Sequence, residues 1–235
     1  MTFVITLVAS DIKNHPVLEE YAPDGENQWI EEGKALDIFV DKKIDVPPLR
    51  QKLDAHKIDV FITAKENRRK KLLIADMDST IVEGETLDDL AAFAGLKDQI
   101  AAITARAMNG ELDFEEAIRE RVGLLKGLSE DKLAEALIET KLNPGAESFV
   151  LTMKAHGAYC VLVSGGFTVF TNEIAQRIGF HANHGNILGM EGGALDGTVK
   201  DPILDKNAKV YFLDLYLKEH GLNPDDAITI GDGAN

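Results

Sequence analysis

The chain has 235 residues, 45% of them hydrophobic, with 25 Lys and Arg against 40 Asp and Glu for a formal net charge of −15. That length allows one or two domains with a substantial buried core, and the acidity excludes a general binder of nucleic acid or anionic membrane. A single cysteine, Cys160, excludes an intrachain disulfide. No stretch is long and apolar enough to span a bilayer, and residues 1–9 lack a signal-peptide cleavage pattern, so the chain reads as cytoplasmic.

Residues 1–70 read as a separate unit. MTFVITLVA (1–9) is strand-like, and HPVLEEYA (15–22) is a short helix candidate. QWIEE (28–32) and ALDIFVDK (35–42) suit a strand pair. VPPLRQKLDAHK (46–57) is a helix opened by prolines, and IDVFITAK (58–65) is a closing strand. The order βαββαβ is ferredoxin-like. Glu66 to Lys71 then form a charged linker, whose basic run reads as a solvated hinge and not as a nucleic-acid patch.

The run Leu72-Leu73-Ile74-Ala75 is an apolar strand that ends in Asp76-Met77-Asp78-Ser79-Thr80. Side chains two apart in extended backbone share a side, so Asp76 and Asp78 converge at the carboxyl end of a buried strand, where open α/β sheets place ligands. An isolated Asp-x-Asp is commonly a solvated turn. Two desolvated carboxylates instead call for compensation, and hard oxygen donors suit Mg²⁺.

From 85 to 140 the periodicity is helical, with about four short helices punctuated by Gly95, Asn109-Gly110 and Gly127; Asp113 and Ser129 are candidate N-caps. Asn143-Pro144-Gly145 ends this insertion. A helix over 144–156, with Pro144 in its first turn, a strand over 159–164 and a helix over 167–179 follow. Cys160, before the apolar VLVS run, reads as a small buried hydrophobe. The segment 187–199 reads as a hairpin, then come a helix over 207–220 and a strand over 227–231. Two of these strands also end in chemistry-bearing residues: Ser164-Gly165-Gly166 and Gly231-Asp232-Gly233.

The carboxylate pair, Ser-Gly-Gly, Lys209 and Asp232, in that order, resemble the haloacid dehalogenase superfamily. DMDSTIVEGETLDDLA, NGELDFEEAIRERVGLL, VSGGFTVF, NAK and GDGAN resemble its phosphoserine phosphatase family over about residues 71–235. The resemblance implies an α/β fold with a Rossmann-like parallel sheet core and an inserted four-helix cap at about 85–140. Residues 1–70 resemble the small ACT-type α+β module, with packing, homodimerisation or amino-acid sensing as its expected roles. The family pattern continues past GDGAN with an aspartate, a strand and a helix, so residues 71–235 are expected to lack the C-terminal end of the domain.

The resemblance also implies roles. Asp76 is the expected nucleophile and Asp78 the general acid and base. Mg²⁺ is held by Asp76, Asp232 and a backbone carbonyl at Asp78. Ser164, Gly165, Gly166 and Lys209 take the phosphate, glycines allowing close backbone approach. Glu85 matches the ammonium-binding acid and Arg121 the carboxylate clamp, where a guanidinium fork fits. Met108 and Phe114 match positions flanking the substrate, although core packing accounts for them nearly as well, and Asn235 is a further substrate contact. On local grounds Arg106, Arg119 and Arg121 compete equally, and only the family register selects one. Asp88-Asp89 and Glu115-Glu116 read as solvated helix faces. His181-x-x-His184 has metal-ligand spacing but no accompanying ligand set.

The expected activity is Mg²⁺-dependent hydrolysis of O-phospho-L-serine, the last step of serine biosynthesis. The alternatives are a phosphotransferase passing the phosphoryl group to another hydroxyl such as homoserine's, and a non-catalytic amino-acid sensor. No P-loop motif supports a kinase of that class.

Overall fold

The computed structural model describes residues 2–13, 15–18, 27–42, 44–205 and 207–233. The chain divides into two units, Met1–Arg69 and Lys70–Asn235.

In the first unit, β1 (Phe3–Val8), β2 (Asn27–Glu31), β3 (Ala35–Val40) and β4 (Asp59–Ala64) form an antiparallel sheet in the order β2-β3-β1-β4. Alternation puts Ile5, Leu7, Leu36, Ile38 and Val60 into one core with Leu49 and Leu53 of α1 (Val46–Asp54). Pro47 and Pro48 open that helix, where a missing N–H costs nothing. The helix expected over 15–22 falls largely outside the described residues.

The stretch 66–71 spans the boundary between the two units, and Glu66, Asn67, Arg69 and Lys71 are exposed, but its basic side chains are not all free. Arg68 forks onto Asp37 of β3, with Nη2 2.6 Å from Oδ1, and also donates to Thr6 Oγ1 at 2.8 Å. Asp37 is buried and requires a partner, which arrives from 31 residues away. Lys70 Nζ donates to the Asp225 carbonyl at 2.6 Å, and Lys71 pairs with Asp226 at 3.0 Å. The basic run is therefore largely engaged.

In the second unit, β5 (Leu72–Ala75), β6 (Tyr159–Phe167), β7 (Ala182–Glu191), β8 (Ala194–Lys200) and β9 (Ala227–Ile230) form a sheet in the order β8-β7-β6-β5-β9. Its pairings are parallel except for the β7–β8 hairpin. Both faces of β5 are covered, which is why its sequence is an unbroken apolar run. Leu73 and Ala75 join one core with Phe170 and Ile174 of α7 (Thr168–Ile178); Leu72 and Ile74 join another with Phe212 and Tyr216 of α8 (Ala208–Glu219).

Between β5 and β6 lie α2 (Thr86–Phe93), α3 (Lys97–Met108), α4 (Phe114–Leu124) and α5 (Glu130–Glu139), then α6 (Ala146–Ala155). Asp113 caps α4 in a reciprocal box with Glu116, whereas the Ser129 side chain makes no capping bond. Pro144 lies before α6, whose N-cap is Gly145 at φ 88°. β6 continues through Ser164-Gly165-Gly166 instead of stopping at 164, so α7 starts at Thr168. Cys160 is buried in β6, and burial pushes its thiol up to about 11. Among the described residues, no helix is long and apolar enough to cross a membrane.

Candidate active site

The carboxyl ends of β5, β6 and β9 meet at one place. Asp76 follows β5 and is held against β9 by its N–H to the Ile230 carbonyl at 3.0 Å. Its Oδ1 accepts the Met77 N–H at 2.9 Å and its Oδ2 accepts Lys209 Nζ, which reaches in from the first turn of α8. Burial pushes the Asp76 carboxyl up, and the Lys209 ammonium pulls against this without overcoming it.

Asp78 accepts three hydrogen bonds. Thr86 gives two to Oδ1, from its N–H at 2.8 Å and its hydroxyl at 2.7 Å; Ser164 Oγ gives the third to Oδ2 at 2.9 Å. The Ser164 hydroxyl in turn accepts the Gly166 N–H at 2.8 Å. A Cβ on Gly166 would sit 3.0 Å from both Asp78 Oδ2 and Ser164 Oγ, so a side chain there would crowd this network. The Gly166 amide, expected to be open for a phosphate oxygen, is already engaged within it.

Ser79, at φ 51°, closes a turn through its N–H to the Gly84 carbonyl at 2.8 Å and donates its hydroxyl to Glu85 Oε1 at 2.9 Å. Burial, then the neighbouring Asp78 charge, push Glu85 up. Arg121 is half-buried; burial pushes its pKa down, with Asp88 and Glu85 opposing. Asp88 and Asp89 are exposed on the first turn of α2, in keeping with a solvated helix face.

The three competing arginines now separate. Arg106 pairs with Glu120 at 2.8 Å, and Arg119 with Glu115 at 2.7 Å and Asp201 at 2.5 Å. Arg121 makes no ion pair among the described residues; its Nε donates to the Ala117 carbonyl at 3.2 Å. Phe114, although apolar, is 40% exposed, and its ring lies 3.3 Å from where a Cβ on Gly165 would be. Core packing does not account for it.

Asp76, Asp78, Glu85, Phe114, Arg121, Ser164, Gly165, Gly166, Lys209 and Asp232 all line one cavity of about 300 Å³. The side chain of Met108 and the whole of Asn235 lie outside the described residues. Sequence reasoning missed Thr86, Asp205 and Asn186. Thr86 and Asp205 line the cavity; Asn186, 1% exposed, bonds to the Gly165 carbonyl. Thr86 had a possible signal, a hydroxyl beside Glu85 where the helix begins. His181 and His184 are engaged elsewhere: His181 Nδ1 accepts the Cys160 N–H at 2.9 Å, and His184 Nε2 lies 2.9 Å from the Tyr216 hydroxyl.

Among the described residues no cluster of three or more His, Cys, Asp or Glu could cage a metal. The cavity instead offers Asp76 and Asp232, and a Cβ on Gly231 would lie 3.8 Å from Asp76 Oδ2, so the glycine backbone runs beside that carboxylate. One or two carboxylates, with water and phosphate oxygens completing the shell, is a donor set suited to Mg²⁺. The residues fit that ion.

The family model of haloacid dehalogenase-like hydrolases matches residues 73–235. A phosphoserine phosphatase of Archaeoglobus fulgidus is 41% identical over 169 residues, covering 72% of this chain and 49% of that protein. The chain thus spans about half the length of that relative. A phosphoserine phosphatase of Methanocaldococcus jannaschii is 38% identical over 168 residues, covering 72% of this chain and 80% of the relative. A solved structure described as a phospho-aspartyl intermediate analogue of phosphoserine phosphatase superposes with a TM-score of 0.65 at 38% identity, covering 70% of this chain and 78% of its own.

Proposed function

The chain belongs to the haloacid dehalogenase-like hydrolases and, within them, to the phosphoserine phosphatase family, and from that premise we propose that it hydrolyses O-phospho-L-serine. The observation that carries the substrate is Arg121, an arginine without an ion-pair partner among the described residues, lining the same cavity as Glu85 and Asp76. A free amino acid presents a carboxylate for the guanidinium and an ammonium for Glu85. The phospho-aspartyl description of the related solved structure supports a covalent route for the other end.

In this reading a carboxylate oxygen of Asp76 attacks phosphorus, forming an O–P bond as the P–O bond to serine breaks. Asp78 gives its proton to the departing serine oxygen, then takes one from the water that attacks the aspartyl phosphate, releasing phosphate and restoring Asp76. Lys209 holds Asp76 in place and offsets negative charge. Asp76, Asp232 and the backbone carbonyl at Asp78 would hold Mg²⁺, which would supply charge neutralisation between the carboxylate and a phosphate dianion. Helices α2 to α5 act as the cap: Phe114 and Arg121 come from α4, and Glu85 immediately precedes α2. The first unit is read as a ferredoxin-like, ACT-type module, a reading its sheet order supports, with packing, homodimerisation or amino-acid sensing as its proposed roles.

The test is phosphate release over a panel of phosphorylated small molecules, with and without Mg²⁺. Preference for phosphoserine over phosphoethanolamine, which lacks the carboxylate, and over simple aryl phosphates is the expected result. Equal turnover of all three would overturn the substrate assignment. Transfer to an added alcohol in place of phosphate release would overturn the hydrolase.

A further inference from the structure

The β6–β7 ladder is regular up to Val163 and resumes at Phe167, which pairs with Asn186. In the interval lie Ser164, Gly165 and Gly166, the segment that faces the cavity. Asn186 is 1% exposed, and its side-chain amide bridges this interruption. Its Nδ2 donates to the Gly165 carbonyl at 2.7 Å and to the Leu204 carbonyl at 3.2 Å, while its Oδ1 accepts the Leu204 N–H at 2.7 Å. Gly185, next to it, comes so close that a Cβ there would be 3.2 Å from the Gly166 carbonyl oxygen.

A trans peptide is planar, so its C=O and N–H point in opposite directions. Fixing the Gly165 carbonyl onto Asn186 therefore fixes the direction of the Gly166 N–H. That N–H reaches Ser164 Oγ, which donates to Asp78. On the other side, Asn186 holds Leu204, which immediately precedes the cavity-lining Asp205. We propose that Asn186 is a positioning residue for the phosphate end of the cavity, setting the Gly165–Gly166 peptide and, through Ser164, the Asp78 carboxylate. This rests on the phosphatase reading, but it concerns the phosphoryl end and not the recognition of the substrate's carboxylate and ammonium.

The experiment compares the parent with Asn186→Asp and Asn186→Ala, each checked for folding by circular dichroism and thermal melting, using phosphoserine and an aryl phosphate with Mg²⁺ present. Asn186→Asp is isosteric but loses both donors. The expected result is a fall in kcat for both substrates, about 10²-fold for phosphoserine and less for the aryl phosphate, whose leaving group does not need the Asp78 proton, with KM changing by less than about threefold, as a small misplacement of reacting groups produces. Folded variants with parental kcat would overturn the proposal, as would a loss carried by KM with kcat unchanged. If the variants fail to fold, NMR on the unsubstituted protein decides: the Asn186 side-chain amide signals should shift when inorganic phosphate is added, and unchanged signals at saturating phosphate overturn the proposal. If the parent turns over the aryl phosphate but not phosphoserine, the substrate reading fails and the kinetic comparison still judges Asn186. If the parent turns over neither, the hydrolase reading fails and the phosphate titration judges it alone.

Discussion

The two ends of the cavity are built differently. At the end proposed to take the phosphoryl group, the polar groups close on one another: Lys209 on Asp76, Thr86 and Ser164 on Asp78, Gly166 on Ser164. At the other end Arg121 lacks an ion-pair partner among the described residues, Phe114 is exposed, and Glu85 holds one serine hydroxyl against its own burial. The difference is between preorganisation and complementarity. Groups that perform chemistry gain from being fixed beforehand. Groups that recognise a zwitterion must keep their charges open for it, at some expense of stability.

The comparison breaks most visibly at Asp76. Asp76→Asn should lower turnover of phosphoserine and of an aryl phosphate alike by about 10⁴-fold or more, since it removes the attacking oxygen from both. Steady-state phosphate release checks this, and a variant keeping a tenth of parental activity would show that Asp76 is not the nucleophile. Arg121→Ala should divide the substrates: about a 10²-fold or greater loss in kcat/KM for phosphoserine, the scale of a desolvated charge-assisted pair, with little change for the aryl ester. Parallel losses would make Arg121 structural and erase the distinction between the two ends.

Glu85→Gln sharpens the comparison through stability. Burial and Asp78 raise the Glu85 pKa above the ordinary 4.5, so its charged form is less favourable in the folded state than in the unfolded one. The native state then binds the proton more readily, and stability is lost as pH rises through the raised value. The glutamine variant should therefore melt slightly higher at neutral pH, a small effect because Glu85 is largely exposed, and the gain should vanish below pH 4.5. Its kcat/KM for phosphoserine should fall about tenfold. A variant that melts lower at neutral pH would mean that Glu85 is held by partners and is not open for a ligand.

These two ends were not equally legible in the sequence. Asp76 stands out because an apolar strand breaks into carboxylates, and that signal is local. Lys209 and Arg121 have ordinary explanations as helix residues, and only family register selects them. The structure separates Arg121 from its competitors, because Arg106 and Arg119 are neutralised by partners up to 82 residues away. Helices from 86 to 139 follow from periodicity. The extension of β6 through Gly165 and Gly166 did not, because glycines ordinarily mark a strand's end and here β7 approaches them closely. Asn186 was invisible for the same reason that Asp37 with Arg68 was: each acts through partners remote in sequence, and nothing in the local pattern distinguishes it from a solvated residue.

Thr86 tests how finely the phosphoryl end is set. It is buried, begins α2 directly after Glu85, and gives Asp78 both its N–H and its hydroxyl. Thr86→Val keeps the shape and the backbone donor and deletes only the hydroxyl. Losing one such bond of two should cost about 1 kcal/mol, or roughly threefold to tenfold in turnover. The loss should depend on the leaving group: larger for phosphoserine, whose alkoxide needs the Asp78 proton, and smaller for a nitrophenyl ester, whose leaving group does not. This pattern resembles that of Arg121→Ala, and phosphoethanolamine separates the two. It has an alkoxide leaving group but no carboxylate, so Thr86→Val should slow it as much as phosphoserine, whereas Arg121→Ala should leave it nearly untouched. If Thr86→Val instead spares phosphoethanolamine, the hydroxyl serves the recognising end, and the division of the cavity into a closed chemical half and an open binding half fails at the residue where the two meet.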